Sequence, residues 1–295
     1  MAKTPFYAQL SLAKSYYGLT KPGIIYGNAL TAIGGFLLAS RGQVNLWLLL
    51  ATIMGTSLVI ASACVINNYI DRGIDQKMDR TKKRALVTGE ISVRNAIIYA
   101  ILLGIIGFAT LALLVNWLVV LIGVVGFIDY VVFYGLSKRR STLGTLVGSI
   151  SGATPVIAGY CAVTNRFDLG ALILFAILVI WQMPHFYAIA MYRLDDYKAA
   201  NIPVLPVIKG MRSTKVQIIS YIVAFILAVM ALTAYGYAGR TFMVVMSLLG
   251  LLWLRLGIKG FRMPDEKIWG RQMFRFSLII ILSLSVMLSV GTILP

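Results

Sequence analysis

The chain has 295 residues, of which 59% are hydrophobic and 13% are charged, and its net charge is +17 at pH 7. Soluble domains carry about 25% charged residues, so lipid must be the solvent for most of this surface. The basic residues occupy short loops between apolar segments instead of one continuous stripe, which argues against nucleic-acid binding. No polar segment is long enough for a soluble domain, so the sequence predicts a single integral-membrane domain over residues 1–295.

Nine apolar segments are each close to the ~20 residues that a helix needs to cross a bilayer. The predicted fold class is therefore all-α, a bundle of nine transmembrane helices. Ser92 is expected to cap the third helix, and Asn116-Trp117 to separate the third from the fourth. The predicted limits of the segments are 24–40, 46–66, 96–115, 118–136, 143–163, 169–192, 216–237, 242–260 and 276–294.

Nearly all basic residues fall on one side of the predicted bundle. Of the 27 Lys and Arg residues, only Arg41, Arg166 and Arg240 lie on the other side. Cytoplasmic loops are enriched in Lys and Arg, so the N-terminus is predicted to be cytoplasmic and the C-terminus periplasmic. Residues 1–21 show neither a cleavable signal nor a transit peptide, which favours a bacterial membrane over a mitochondrial precursor. The predicted location is the bacterial inner membrane, as a multi-pass protein.

Acidic residues recur at helical spacing where the second segment ends. Asn67, Asp71, Asp75 and Asp79 are four residues apart, which places them along one face of a helix. Because like charges at this spacing repel, the row needs a compensating cation. Mg²⁺ takes carboxylate and amide oxygens together with substrate phosphates, and Mn²⁺ is an alternative with the same ligands. A solvated helix end at the membrane boundary is an equally open interpretation.

A second acidic cluster, Asp195 and Asp196, follows the sixth segment on the same predicted side. Two acid-rich helix ends can hold metal ions around one diphosphate, which favours ionisation of an allylic C–O bond while the membrane interior houses the isoprenoid chain. Nearby basic residues are expected to meet the remaining phosphate charge, although Lys138 and Arg139 are equally explained as topology markers. The basic candidates are Arg72, Lys77, Lys138, Arg139, Arg193 and Lys198.

Several sequence strings resemble a known enzyme family. Asn67-x-x-x-Asp71-x-x-x-Asp75 resembles the first aspartate-rich motif of the intramembrane aromatic prenyltransferase superfamily. Longer strings resemble, more narrowly, the protohaem IX farnesyltransferase (haem O synthase) family. These strings are Asn67-Asn68-Tyr69-Ile70-Asp71-Arg72, Trp181-Gln182-Met183-Pro184-His185-Phe186, Asp196-Tyr197-x-x-Ala200-Asn201-Ile202-Pro203-Val204-Leu205-Pro206-Val207, Lys21-Pro22-Gly23 and Gly148-x-x-x-Gly152-Ala153-x-Pro155.

The resemblance implies a nine-helix enzyme that transfers the farnesyl group of farnesyl diphosphate to a vinyl group of haem B. The product would be haem O, used by a downstream haem-modifying enzyme or terminal oxidase. Haem B would then be a substrate, and Mg²⁺ the cofactor. Metal–diphosphate roles carry over to Asn67, Asp71, Asp75 and Asp196. Asp195 also matches the acidic run and is a further metal-ligand candidate, although the strongest part of that motif begins at Asp196. Asp79 only continues the four-residue spacing.

Asp129 and His185 lie well inside predicted spans, where ionisable groups are costly and are often functional. His185, the only histidine, precedes Asp196 by about 16 Å along an unbroken helix and on nearly the same face. His185 could ligate the haem iron, act as a base at the vinyl-derived cation, or be structural. Asp129 is expected to be neutral, to be paired or to face a cavity, and the resemblance assigns it no function.

Two other functions compete with haem farnesylation. Prenyl transfer to another acceptor, such as a quinone precursor, would use the same acidic motifs. A proton-coupled transporter would use Asp129 and His185 as a relay, but transporters place their acids near the bilayer midplane. Here the acids crowd the helix ends, which favours a prenyltransferase.

Overall fold

The computed structural model of the protein describes residues 5–291, with side chains from residue 12 onward. The predicted end of the ninth segment, at residue 294, lies outside this range. A π-helical turn, Asp129–Phe133, joins α6 to α7. The α-helices are α1 (Pro5–Leu19), α2 (Pro22–Ser40), α3 (Leu46–Asp75), α4 (Ala85–Thr88), α5 (Val93–Leu114), α6 (Trp117–Ile128), α7 (Tyr134–Arg140), α8 (Gly144–Thr164), α9 (Leu169–Tyr192), α10 (Leu194–Ala199), α11 (Leu205–Ile208), α12 (Gly210–Ala234), α13 (Arg240–Lys259) and α14 (Glu266–Val290).

Nine helical stretches within the described residues are long and apolar enough to cross a membrane. One of them, Trp117–Arg140, is continuous through the π-helical turn and includes α6 and α7. The others are α2, α3, α5, α8, α9, α12, α13 and α14. These helices confirm the predicted all-α fold with nine transmembrane spans.

Side-chain caps set the helix starts that the sequence predicted. Ser92 Oγ accepts a hydrogen bond from the N–H of Asn95 at 3.2 Å, and Asn116 Oδ1 accepts one from the N–H of Val119 at 2.9 Å. Each cap satisfies an amide that the first helical turn leaves without a partner. The predicted cap of the third span and the predicted division between the third and fourth are therefore confirmed.

The last membrane helix begins before the apolar segment that predicted it. Its first residue is Glu266 rather than residue 276, because Asp265 Oδ1 accepts hydrogen bonds from the N–H groups of Lys267 and Ile268 at 2.8 and 2.9 Å. Apolar composition indicates which part of a helix contacts lipid, whereas a capping residue indicates where the helix begins. The predicted start of the ninth span is therefore wrong by several residues.

The sixth membrane helix does not continue to the second acidic cluster. Helix α9 ends at Tyr192, and α10 begins at Leu194 after Arg193, whose backbone has φ −107° and ψ 21°. Pro184 lies inside α9 without ending it. The predicted unbroken helix from His185 to Asp196 is therefore wrong, and the acidic cluster lies on a separate short helix.

Helices α2 and α8 pack with their backbones in direct contact. A Cβ atom added to Gly35 would clash with the carbonyl oxygen of Val156, and one added to Gly159 would clash with that of Ala32. Small residues permit such close packing between membrane helices, where dispersion replaces the hydrophobic effect as the driving force. We refer to these four residues as the α2–α8 seam.

Candidate active site

Three polar residues form a buried face at the end of α3. Asn67, Asp71 and Asp75 are 2%, 7% and 4% exposed and stand four residues apart on the same helix. Since α3 ends at Asp75 instead of residue 66, the acids belong to the membrane helix itself. We refer to these three residues as the acid face.

Asp79 does not belong to the acid face. It lies in the turns beyond the end of α3, where its exposed carboxylate is 2.5 Å from Lys82 Nζ. The hydrogen bond from Lys82 lowers the pKa of Asp79 below its usual value. The predicted four-residue row is therefore correct for its first three members and wrong for Asp79, because the helix ends before that position.

Two of the basic residues that were predicted to contact diphosphate, Lys138 and Arg139, contact the acid face. Lys138 Nζ donates to Asp71 Oδ2, and Arg139 Nη2 is 3.3 Å from Asp71 Oδ1. Arg139 also donates to the carbonyl oxygen of Ile70 at 2.6 Å. Removing one partner of a buried ion pair costs about 3–5 kcal/mol, so α3 and the end of α7 are held together by these charges.

Two further basic residues complete the neighbourhood of the acid face. Lys21 Nζ donates to Asn67 Oδ1 at 2.5 Å, and Arg84 Nη1 donates to Asp75 Oδ2 at 2.6 Å. Burial lowers the pKa of Lys21 from 10.5 to about 8. The sequence did not predict the contact between Lys21 and Asn67, because these residues are 46 positions apart and no periodicity connects them.

The acid face has more basic partners than carboxylates. Lys21, Lys138, Arg139 and Arg84 supply four cationic side chains, against the two carboxylates of Asp71 and Asp75. This excess of positive charge suits an anionic ligand. We refer to these six residues together with Asn67 as the acid–base cluster.

Arg72 and Lys77 lie away from the buried face. Both are exposed, and the Arg72 guanidinium lies 5.7 Å from the centre of the Tyr69 ring. Residues next to an acid-face position on a helix point about 100° away from it. The contact of Arg72 and Lys77 with diphosphate stays a prediction, and neither side chain contacts the acid face.

The two acids of the second cluster have different surroundings. The Asp196 side chain is 16% exposed and lies 3.7 Å from Arg193 Nη1. The Asp195 side chain is 76% exposed and lies 2.7 Å from Lys267 Nζ, which lowers the pKa of Asp195. Lys198 is exposed on the same short helix. Of the two acids, Asp196 is the one enclosed by the fold.

Apolar contacts place the two acidic motifs at the same end of the bundle. Met78, just beyond the acid face, is buried together with Ala200 and Ile202, which follow α10. Tyr197 packs against this group, and burial raises its pKa to about 12. Asn201 turns the chain here with φ +52°, a left-handed conformation that Asn tolerates better than most residues.

The donor set suits a metal ion that is shared with a substrate. Hard oxygen ligands are available from Asn67, Asp71, Asp75 and Asp196, and the described residues contain no group of three or more His, Cys, Asp or Glu placed to enclose a metal. Mg²⁺ commonly uses one or two carboxylates, with substrate phosphates and waters as its other ligands. The residues therefore fit a metal–diphosphate complex better than a closed structural site.

A cavity of about 330 Å³ begins beside the acid–base cluster and extends into the bundle. This volume falls within the ~300–1,000 Å³ range of small-molecule sites. Tyr130 lines the cavity, and its hydroxyl is 3.5 Å from Lys21 Nζ, so this residue connects the cavity wall to the cluster. Most of the lining is apolar, and it includes Gly27, Cys64, Phe127, Gly152, Trp181 and His185.

His185 lies in the cavity wall, surrounded by aromatic rings. Its Nδ1 is 2.7 Å from Ser277 Oγ on α14, and its ring stacks on Trp181 with centroids 4.9 Å apart. Gln182, one helical turn from Leu178, donates from Nε2 to the carbonyl oxygens of Ser149 and Leu178 at 2.9 and 3.0 Å. Nothing in the sequence indicated Ser277 as a partner of His185.

Asp129 is paired within the fold. Its Oδ2 accepts a hydrogen bond from the N–H of Ser151 at 3.0 Å, and it begins the π-helical turn between α6 and α7. A buried carboxylate in a membrane helix needs such a donor. The prediction that Asp129 is paired is confirmed, and no hydrogen bond among the described residues connects it to His185.

The family model and the relatives that match this chain are all prenyltransferases. Residues 28–279 match the model of the UbiA prenyltransferase family. The chain is 53% identical over 283 residues to a protein of Citrobacter koseri named protoheme IX farnesyltransferase, covering 96% of both chains.

Solved structures show the same fold. A structure described in connection with digeranylgeranylglyceryl phosphate synthase superposes with a TM-score of 0.78 at 18% identity, covering 96% of this chain and 99% of that one. A UbiA homolog from Archaeoglobus fulgidus bound to GPP and Mg²⁺ superposes with a TM-score of 0.68 at 19% identity, covering 93% and 99%. The chain is therefore an integral-membrane prenyltransferase that belongs to the UbiA prenyltransferase family.

Proposed function

We propose that this chain transfers the farnesyl group of farnesyl diphosphate to a vinyl group of haem B, forming haem O and releasing diphosphate. The observation that carries this proposal is the acid–base cluster at one end of an apolar cavity whose wall holds the only histidine. The choice of haem B as acceptor is supported by the name of the relatives that share 53% of their residues with this chain.

The acid–base cluster would bind the diphosphate. Four basic side chains donate to the acid face in the structure, those of Lys21, Lys138, Arg139 and Arg84. If a metal ion neutralises the acids, the positive charge of these side chains becomes available to the diphosphate. Asn67, Asp71, Asp75 and Asp196 are the residues that would hold Mg²⁺. When bound, Mg²⁺ neutralises the diphosphate and makes it a better leaving group. The basic side chains stabilise the charge that develops on the departing oxygen.

The apolar cavity would hold the isoprenoid chain and exclude water from the reacting carbon. The C–O bond of the allylic diphosphate breaks, and its electron pair leaves with the diphosphate oxygen. The vinyl π electrons of the acceptor then form the new C–C bond, and water adds to the resulting cation with loss of a proton. Phe127, Tyr130 and Trp181 line the wall, and aromatic rings attract positive charge, which would favour the allylic cation within the cavity.

The distribution of basic residues supports a cytoplasmic site. The acid–base cluster lies at the helix ends that carry most of the Lys and Arg residues, and positive residues favour the cytoplasmic side. We infer a multi-pass protein of the bacterial inner membrane, with its N-terminus cytoplasmic, its C-terminus periplasmic and residues 1–295 in one domain. Haem O would pass to a haem-modifying enzyme or an oxidase, and Mn²⁺ would be an alternative to Mg²⁺.

Purified protein in lipid nanodiscs provides the test. Haem B and farnesyl diphosphate are added with Mg²⁺ or with a chelator, and the porphyrin is measured by mass spectrometry. The expected result is a metal-dependent gain of one farnesyl group and one hydroxyl group. If protein that binds farnesyl diphosphate leaves haem B unmodified but prenylates a quinone precursor, the proposed acceptor is wrong.

A further inference from the structure

A buried serine on the last membrane helix determines which nitrogen of His185 carries the proton. Ser277 is fully buried on α14, and its Oγ donates to the carbonyl oxygen of Phe274 at 2.6 Å. A serine hydroxyl has one proton and two lone pairs. Since the proton is directed to Phe274, Oγ can only accept from His185 Nδ1, which lies 2.7 Å away. This hydrogen-bond arrangement favours the Nδ1–H tautomer of His185.

The other nitrogen of His185 is free for a ligand. In the Nδ1–H tautomer, Nε2 has a lone pair and no proton. Nε2 makes no hydrogen bond to any part of the chain that the structure describes, and the ring lines the cavity. An imidazole whose remote N–H is held by an oxygen acceptor is the usual arrangement of a metal-ligating histidine.

Aromatic contacts fix the orientation of this ring. Trp181 stacks on His185 with an interplanar angle of 28°, and the Phe274 ring lies 5.1 Å away. Trp181 Nε1 donates to the carbonyl oxygen of Ser277 at 3.1 Å. Ser277 thus holds His185 through its side chain and Trp181 through its backbone, so that neither ring can rotate without breaking a buried hydrogen bond.

The depth of His185 suits an acceptor placed below the diphosphate site. It lies seven residues before Tyr192, the last residue of α9, which corresponds to about 10 Å along the helix. The iron of a porphyrin bound there would lie inside the membrane, below the acid–base cluster. This arrangement leaves the helix end to the diphosphate.

We propose that Ser277 is a positioning residue that presents His185 Nε2 as the axial ligand of the haem iron. This inference rests on the proposed function, because haem B is the acceptor in that reaction. The iron–nitrogen bond anchors the porphyrin beside the wall that holds His185, and the hydrogen bond from Nδ1–H to Ser277 increases the basicity of the ligand. Ser277 does not itself contact the reacting atoms.

The tautomer can be measured in the wild-type protein. Because the sequence has a single histidine, protein purified with a tag free of histidine and labelled with ¹⁵N-histidine gives two ring nitrogen signals. The expected spectrum has a protonated Nδ1 and an unprotonated Nε2. A protonated Nε2 in the haem-free protein overturns the proposal without any substitution.

Haem titration tests the ligand and its positioning. Ferric haem B is added to nanodisc-embedded protein without farnesyl diphosphate, and binding is followed by absorption and electron paramagnetic resonance. His185→Ala should lose the histidine–iron signature. Ser277→Ala should keep that signature but bind haem about 10–100-fold more weakly, with a lower iron–histidine stretching frequency by resonance Raman in the ferrous state, whereas Ser277→Thr should retain the wild-type frequency.

The matched control is Ser285→Ala. Ser285 is buried on the same helix, and its hydroxyl has no hydrogen-bond partner among the described residues, so haem binding should not change. The proposal is wrong if His185→Ala leaves the iron spectrum unaltered, or if Ser277→Ala matches Ser285→Ala. Wild-type protein that farnesylates haem despite such a result retains the proposed function, whereas unmodified haem in the wild-type assay contradicts that function itself.

Discussion

The charge of Lys21 should make prenyl transfer depend on pH just above neutrality. Burial disfavours the ammonium form, because an ion removed from water loses its hydration, and it lowers the pKa of Lys21 from 10.5 to about 8. Lys21 is therefore cationic below pH 8 and neutral above it. The cationic form is the one that can stabilise a diphosphate beside Asn67.

The pKa gives the size of the effect. About nine-tenths of Lys21 is protonated at pH 7 and about one-tenth at pH 9, for a pKa of about 8. The pH dependence of kcat/KM reports groups of the free enzyme. If only the cationic form accepts farnesyl diphosphate, kcat/KM for this substrate should fall about tenfold between pH 7 and pH 9.

The assay compares wild type with Lys21→Arg at intervals from pH 6.5 to pH 9.5. Arginine stays charged over this range, so the variant should lose the decline while retaining activity at pH 9. A wild-type profile that is flat between pH 7 and pH 9 would refute the reasoning. An equal decline in both proteins would assign the titration to a different group.

Three further substitutions test the site. Asp71→Asn and Asp75→Asn should each lower kcat by on the order of 100-fold or more, because each removes a carboxylate proposed to hold the metal, while nanodisc insertion stays normal. Asp79→Asn should leave kcat unchanged in the same mass-spectrometric assay, since its carboxylate is exposed beyond the helix end. Gly152→Ala should lower the free energy of unfolding by about 1–3 kcal/mol, measured by thermal or denaturant unfolding, because the new Cβ would clash with Gln182 Oε1.

Controls separate these effects from general damage. Gly18→Ala adds the same methyl group where no atom lies within 4 Å, so it should not destabilise the protein. Normal turnover in both acid-face variants would contradict the metal assignment, and loss of turnover in Asp79→Asn would contradict the limits of the acid face. Equal stability of Gly152→Ala and wild type would show that Gln182 moves without cost.

The membrane fold could be predicted from sequence because lipid imposes a simple requirement. A span needs about 20 apolar residues, and nine such segments could be identified in the sequence. The exact ends were not, since they depend on caps such as Asp265 and on breaks such as the one at Arg193. Neither residue changes the local hydropathy enough to mark a helix end in a hydropathy pattern.

The site was predictable where its residues share one helix and not where they come from several. The acid face follows from spacing along α3. The pairing of Lys21 with Asn67 and of Ser277 with His185 joins residues 46 and 92 positions apart. Such contacts depend on how the helices pack, which periodicity within one helix does not specify.

The α2–α8 seam has a consequence for the route of the product. The carbonyl oxygens of Ala32 and Val156 lie against glycines of the opposite helix, so these two helices leave no gap for a prenyl chain at that level. The cavity is therefore closed along the wall that α2 and α8 form. We expect a prenylated porphyrin to leave through the end of the bundle that holds the acid–base cluster or sideways into the lipid, and not between α2 and α8.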